Sequence, residues 1–202
     1  MLTRRHFSSL AILGGAAGLS GLRPRLAFAE LNDDGLHVQP WFMQTFLDLR
    51  EDQAEASGAN KHLMLLFEQK GCPYCRELHE VNFKRPEIAS YVQDNFGAVQ
   101  LNLWGSRGVT DFDGSEMEER ELARKWAVNF TPTIVFFAKD EPEEKAGNLI
   151  EVARMPGYFK PFHFISMLEF VHEERYKDTQ FQRFLQEKFE KLEAEGKKPD
   201  VW

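Results

Sequence analysis

His62-Leu63-Met64-Leu65-Leu66-Phe67-Glu68-Gln69-Lys70-Gly71-Cys72-Pro73-Tyr74-Cys75 is the stretch on which the reading of this chain turns. Residues 62–67 form a short, nearly unbroken apolar run, the length and character of a central strand buried on both faces. Two cysteines three residues apart follow it after a glycine. A helix over 76–83, carrying Leu78 and Val81 at helical spacing, comes next. A strand that runs through a glycine turn into a helix is the start of a βαβ unit.

The pair has its own chemistry. A helix entered at this point leaves Cys72 at its N-terminus, where unsatisfied N–H groups and the helix dipole favour a thiolate, the nucleophilic form of sulfur. Cys75, one turn on, is placed to resolve a mixed disulfide formed on Cys72. Pro73 falls in the first helical turn, where its missing N–H costs no bond. Tyr74 lies at the exposed tip, its ring available to a partner. Other readings of the pair stay open. His79, four residues after Cys75, could join a Cys-Cys-His cluster, although a structural zinc takes four ligands and the pair supplies two. A disulfide across three residues closes too small a loop to staple a fold. Cys72 and Cys75 are the only cysteines, so no disulfide scaffold is expected. Neither is a metal or any cofactor beyond the Cys72–Cys75 disulfide itself.

Thr131-Pro132-Thr133 is the second signal. It opens an apolar strand over 130–137, and a proline there removes a ladder donor. A cis bond at Thr131–Pro132 would turn the Thr131 backbone toward the Cys72 loop, its N–H and C=O free to pair with an extended substrate. A trans proline at a strand edge is the plainer alternative. Cys72 and Cys75 are thus the candidate catalytic residues, with Thr131, Pro132, Pro73 and Tyr74 as candidate substrate contacts. Phe130, Phe136 and Phe137 read as core.

The spacing elsewhere predicts a helix over 41–56 behind Pro40, another over 87–96 and a strand over 98–103. Residues 105–114 read as a loop. Asp111, Asp113 and Gly114 resemble half a calcium loop but lack the later Glu, so a turn is expected. A helix capped by Ser115, with Glu116, Glu118 and Glu119 in its first turn, should run to Trp126. A charged hairpin turn over 140–148, a return strand over 149–154 and helices over 162–171 and 179–192 complete the order. The last carries Phe181, Phe184, Leu185, Phe189 and Leu192 on one face, to pack on its own domain or to dock another protein. The class is α/β, a βαβ unit plus a β-hairpin giving a mixed central sheet with helices on both faces.

The ends divide from this domain. Residues 1–29 join Arg4-Arg5 to a mildly apolar run and Ala27-Phe28-Ala29, the make-up of a cleavable export signal of twin-arginine type. The apolar run is too short and too rich in glycine to anchor in a bilayer. Residues 30–40 read as a flexible mature N-terminus, 41–172 as the domain and 173–202 as a C-terminal helical extension. The four arginines of 1–29, with no acid among them, take the formal charge from −7 to −11 on cleavage. So acidic a surface excludes a nucleic-acid partner.

On Cys72-Pro73-Tyr74-Cys75, Thr131-Pro132-Thr133 and the element order around them, the chain resembles the thioredoxin superfamily and its fold. Within it, Phe67-Glu68-Gln69-Lys70-Gly71, Val109-Thr110-Asp111-Phe112-Asp113-Gly114 and the twin-arginine start are most similar to the periplasmic thioredoxins of sulfur-oxidation clusters, the SoxW type. The resemblance implies a periplasmic protein-disulfide reductase that takes electrons from a membrane thiol transporter and reduces disulfides on exported partner proteins. An isomerase or oxidase of the same fold is the alternative, as is a redox-inert module that binds a partner or a metal. A glutathione-linked role is the nearest rival enzyme. Two positions depart from the family. Thioredoxins carry a buried acid six residues before the first cysteine, where this chain has Leu66, leaving Glu68, a water or solvent to take the resolving proton. Gly71 replaces the usual Trp.

Overall fold

The computed structural model describes residues 30–140 and 144–198. The expected export signal over 1–29 lies outside the described residues, as do 141–143 of the charged turn and 199–202 of the extension.

Four strands form the central sheet: β3 (His62–Glu68), β4 (Phe96–Asn102), β7 (Thr133–Phe136) and β8 (Ala153–Pro156), in the order β4-β3-β7-β8. Strand β3 runs parallel to β4, with His62 opposite Phe96 and Glu68 opposite Asn102, and antiparallel to β7. Strands β7 and β8 are antiparallel. Two smaller hairpins lie outside the sheet, β1 (Glu30–Leu31) with β2 (His37–Val38) and β5 (Gly108–Thr110) with β6 (Glu116–Glu118).

Why β3 is apolar throughout follows from its position. Every residue of it is buried, and its side chains alternate between two cores. Met64 and Leu66 join Ile134 and Phe136 beneath α3 (Pro86–Asn95) and α5 (Pro161–His172). Leu63, Leu65 and Phe67 join Val135 and Phe137 beneath α1 (Leu49–Gly58) and α4 (Glu119–Lys125). Helices therefore cover both faces, and this is the thioredoxin fold expected. Among the described residues, no helix is long and apolar enough to cross a membrane.

Several boundaries differ from the sequence reading, each for a local reason. The helix expected over 41–56 starts only at Leu49, where the Asp48 side chain accepts from the N–H groups of Arg50 and Glu51. Before it, Leu47 has a positive φ of 64° and Phe46 is fully exposed, so part of the apolar spacing there was not a helical face. The helix expected to be capped by Ser115 starts three residues later, at Glu119 behind Glu118. Residues 116–118 are strand β6, and Glu121 closes the true helix start by accepting from the Glu118 N–H. Part of the loop over 105–114 is strand β5. The return strand comes at Ala153–Pro156 rather than 149–154, because a 3₁₀ turn, Gly147–Leu149, precedes it. There Gly147 lies so close to Trp126 that a Cβ would fall 2.1 Å from its ring. Residues 30–40, read as flexible, form the β1–β2 hairpin with Leu36 buried beneath it.

The C-terminal helix α6 (Phe181–Ala194) lies on α5. Phe170 meets Phe181 and Phe184 at 5.6 and 5.5 Å between ring centres, and Lys188 pairs with Glu169. Phe184 is buried, whereas Phe181, Leu185, Phe189 and Leu192 are half-buried.

Candidate functional site

Glu68 ends β3, and the next three residues turn the chain into α2 (Pro73–Glu77). Gly71 makes the turn at φ 72°, open to glycine at little cost. The helix begins at Pro73 with Cys72 as its N-cap, as expected for Cys72 at the helix N-terminus and Pro73 in the first turn, although the apolar spacing marked only 76–83. It continues as a π-turn, Leu78–Asn82, and not as the single α-helix expected over 76–83.

Both cysteines are free thiols, yet they differ in access. Cys72 is 7% exposed and Cys75 2%. The Cys72 Sγ accepts from the Cys75 N–H at 3.1 Å and from the Thr131 hydroxyl at 3.3 Å; as a thiol it donates to the Thr131 carbonyl at 3.5 Å. The Thr131–Pro132 peptide is cis. The Pro132 carbonyl accepts from Gly157 N–H at 2.7 Å, which ties this turn to the edge strand β8. Thr131 and Pro132 thus stand against Cys72, although 59 residues separate Thr131 from it in sequence. The carbonyl expected to be free for a substrate is engaged by the thiol in this dithiol state. Tyr74 is 58% exposed and stacks on Tyr158, with ring centres 6.4 Å apart.

Burial pushes the Cys75 thiol well above its ordinary range, and the charge of Glu68 and the bond to Cys72 push it further. Glu68 is therefore the acid whose charge bears on the resolving thiol. It is 1% exposed and stands two residues after Leu66, on the same face of β3. Both its oxygens lie 3.1 Å from His79 Nε2, and the Gln100 amide donates to one of them. On the far side of the ring, the Gln39 amide donates to His79 Nδ1 at 3.1 Å. An amide N–H only donates, so Nδ1 accepts; His79 is then neutral and its Nε2–H points at Glu68.

The two nitrogens of His79 face Glu68 and Gln39. Among the described residues, no group of three or more His, Cys, Asp or Glu side chains could hold a metal. The half calcium loop is a turn: Asp111 accepts from the N–H groups of Phe112 and Gly147, from Trp126 Nε1 and from Lys125. Phe136 and Phe137 are core, but Phe130 is not; its ring is 66% exposed beside Thr131.

The sequence reading missed Trp104, an exposed ring whose Nε1 donates at 2.6 Å to the Gln69 side chain, three residues before Cys72. Gln39 and Gln100 were missed as well. Nothing in the local pattern marks them, since they come from β4 and from the segment before α1.

A family model described as a thioredoxin-like domain matches residues 49–172. No curated protein matches the chain. Similar solved structures include a thioredoxin-fold protein from Helicobacter pylori, 27% identical with a TM-score of 0.50, the alignment covering 65% of this chain and 81% of that one. A thioredoxin from Thermus thermophilus is 24% identical over 62% of this chain and 84% of its own, with a TM-score of 0.47. A DsbH oxidoreductase is 15% identical over 79% and 95%, with a TM-score of 0.43.

Proposed function

From the premise that this chain belongs to the thioredoxin-like domain family, we propose that it is a thiol–disulfide oxidoreductase, with Cys72 as nucleophile and Cys75 as resolving thiol. One observation carries the reading. The Cys72 sulfur lies at a helix start with a peptide N–H and the Thr131 hydroxyl both donating to it, and the second thiol is buried one turn behind.

The chemistry follows in two steps. Cys72 thiolate attacks a substrate disulfide, forming a mixed disulfide and releasing one substrate thiolate. Cys75 then gives its proton to Glu68, attacks the Cys72 sulfur and displaces the second thiolate. The substrate is reduced by two electrons and the Cys72–Cys75 disulfide forms. Glu68 takes the part that the family gives to an acid at the position of Leu66. Thr131, Pro132, Pro73 and Tyr74 border the attacking sulfur and are the substrate contacts.

The reading extends to a reductant in the periplasm, acting on exported proteins and re-reduced by a membrane dithiol donor. What supports this is the similarity of 67–71, 109–114 and the twin-arginine start to the SoxW type. Two measurements test it. Cys75→Ser is expected to trap partners as mixed disulfides through Cys72, and an empty trap under export conditions refutes exchange. The Cys72–Cys75 potential against glutathione is expected near −270 mV, the value of reducing thioredoxins. A value near −120 mV reverses the direction to that of an oxidase.

A further inference from the structure

We propose that the segment over 30–40 is a working part of the redox site. Gln39 and Gln100 hold the Glu68–His79 pair in the form that accepts the Cys75 proton, and the cleft they line is where that proton leaves. This rests on the exchange reading above.

Glu68 and His79 are closed to solvent. A carboxylate that has taken a proton is no base for the next turnover until it gives that proton up. On one side of the pair lies Cys75, covered by any substrate bound at Cys72. On the other side stand the two amides, and both line a cleft of 510 Å³ together with Asn32, Phe42 and Arg107. A single layer of side chains thus separates the buried carboxylate from water. Gln100 ties that layer to the hairpin, since its amide donates both to Glu68 and, at 2.6 Å, to the His37 carbonyl of β2.

Gln39 sets which proton goes where. While its N–H occupies His79 Nδ1, the ring cannot become a cation there, and Glu68 keeps a neutral partner. Remove that donor and Nδ1 is open to protonation; an imidazolium beside Glu68 would hold the carboxylate as an ion and blunt it as a base. The other charged groups around the ring are His37, whose own protonation burial disfavours, and Arg76 and Glu80, which act on His37 from the helix and the π-turn. Arg107 stands at the cleft, bound to the Gln100 carbonyl. Gln39 and Gln100 are therefore positioning residues, acting through the pair.

The test uses the intact chain and a symmetrical nitrothiobenzoate disulfide, whose coloured thiolate is released once when Cys72 attacks and again when Cys75 resolves. In Gln39→Met, and independently in Gln100→Met, the first release is expected to keep its rate. The second is expected to slow about tenfold, within the range for a displaced general base. In Gln39→Met the second release should also slow further as the pH falls, a dependence the parent does not share. Glu68→Gln sets the scale, with the second release slower still and without the new limb. A second release equal to the parent's at every pH in both methionine variants overturns the proposal, and so does an equal slowing of both releases. A parent chain that releases neither thiolate sinks the exchange reading itself.

Discussion

Asp111 and Glu119 on one side of the molecule, and Glu68 on another, are carboxylates buried to the same degree and held in opposite ways. Asp111 takes two peptide N–H groups, an indole N–H and Lys125. Glu119 takes the N–H groups of Asn102 and Arg107 at 2.8 and 3.4 Å and the Arg107 guanidinium at 2.6 Å. Each is held by a cation and by backbone donors that cannot leave. Glu68 has a neutral imidazole and an amide, and a thiol nearby. Fixed donors and a cation hold an acid ionised as structure, whereas neutral donors leave it free to gain and lose a proton.

The largest effect should come from breaking a fixed acid. Asp111→Asn turns a donor toward groups that only donate, one of them the Gly147 N–H that anchors the turn before β8. A loss of about 3 kcal/mol is expected, the cost of stranding buried donors, read by urea denaturation. Thiol exchange in the folded fraction should stay at the parent rate; a loss below about 1 kcal/mol would mean that the donors find other partners.

The pair Glu68→Gln and Glu119→Gln tests the contrast directly. Glu68→Gln is expected to slow the resolving step about 100-fold, some 2.7 kcal/mol of barrier, and to change stability by less than about 1 kcal/mol. Glu119→Gln should do the reverse, costing about 2 kcal/mol of stability with the resolving rate intact. If both variants lose stability and neither loses rate, the two acids do the same work and the contrast fails.

How far the sequence carried this depends on whether a residue's partners are near in the chain. Strand β3, the cysteine loop and the Thr131–Pro132 turn were legible because their signals are local: an unbroken apolar run, a two-residue gap, a proline in a strand. Glu68 was legible only as a candidate for an acid missing at Leu66. Its role depends on His79, 11 residues on, and on Gln100, 32 residues on, and no spacing rule joins them. Phe130 misled because an aromatic at a strand start reads as core, whereas the regular strand begins only at Thr133. The Ser115 cap misled because an acidic run reads as a first helical turn, while Glu119 folds inward to Asn102 and Arg107.

Asp52 is a buried acid of a third kind. Among the described residues, Asp52 has neither cation nor imidazole; Thr45 donates to one oxygen and the other has no partner. Burial, with Asp48, Glu55 and Glu51 nearby, raises it to about 6. Its folded value lies above the unfolded one, so its stabilising share is complete below about pH 4 and is lost as the pH rises through 6. Asp52→Asn, which keeps an oxygen for Thr45, should therefore stabilise the chain by about 2 kcal/mol at pH 7 and hardly at all at pH 4. Thermal melts across that window check it. A gain of equal size at both pH values would trace the effect to packing and not to the charge.

The smallest effect belongs to the attacking sulfur. Thr131→Val removes the hydroxyl that donates to Cys72 Sγ at 3.3 Å but keeps the β-branched shape and the carbonyl beside it. In a Cys75→Ser background, where Cys72 is the sole thiol, iodoacetamide should react about fivefold more slowly at pH 7, the worth of one hydrogen bond near 1 kcal/mol. The remaining donor at this sulfur, the residue 75 N–H, is untouched by either change, so the loss stays modest. An unchanged rate would assign the stabilisation of the thiolate to that peptide group alone. The contrast would then extend to the thiols themselves: Cys72 served by its own helix, and Cys75 by side chains gathered from β3, β4, the π-turn and the residue that follows β2.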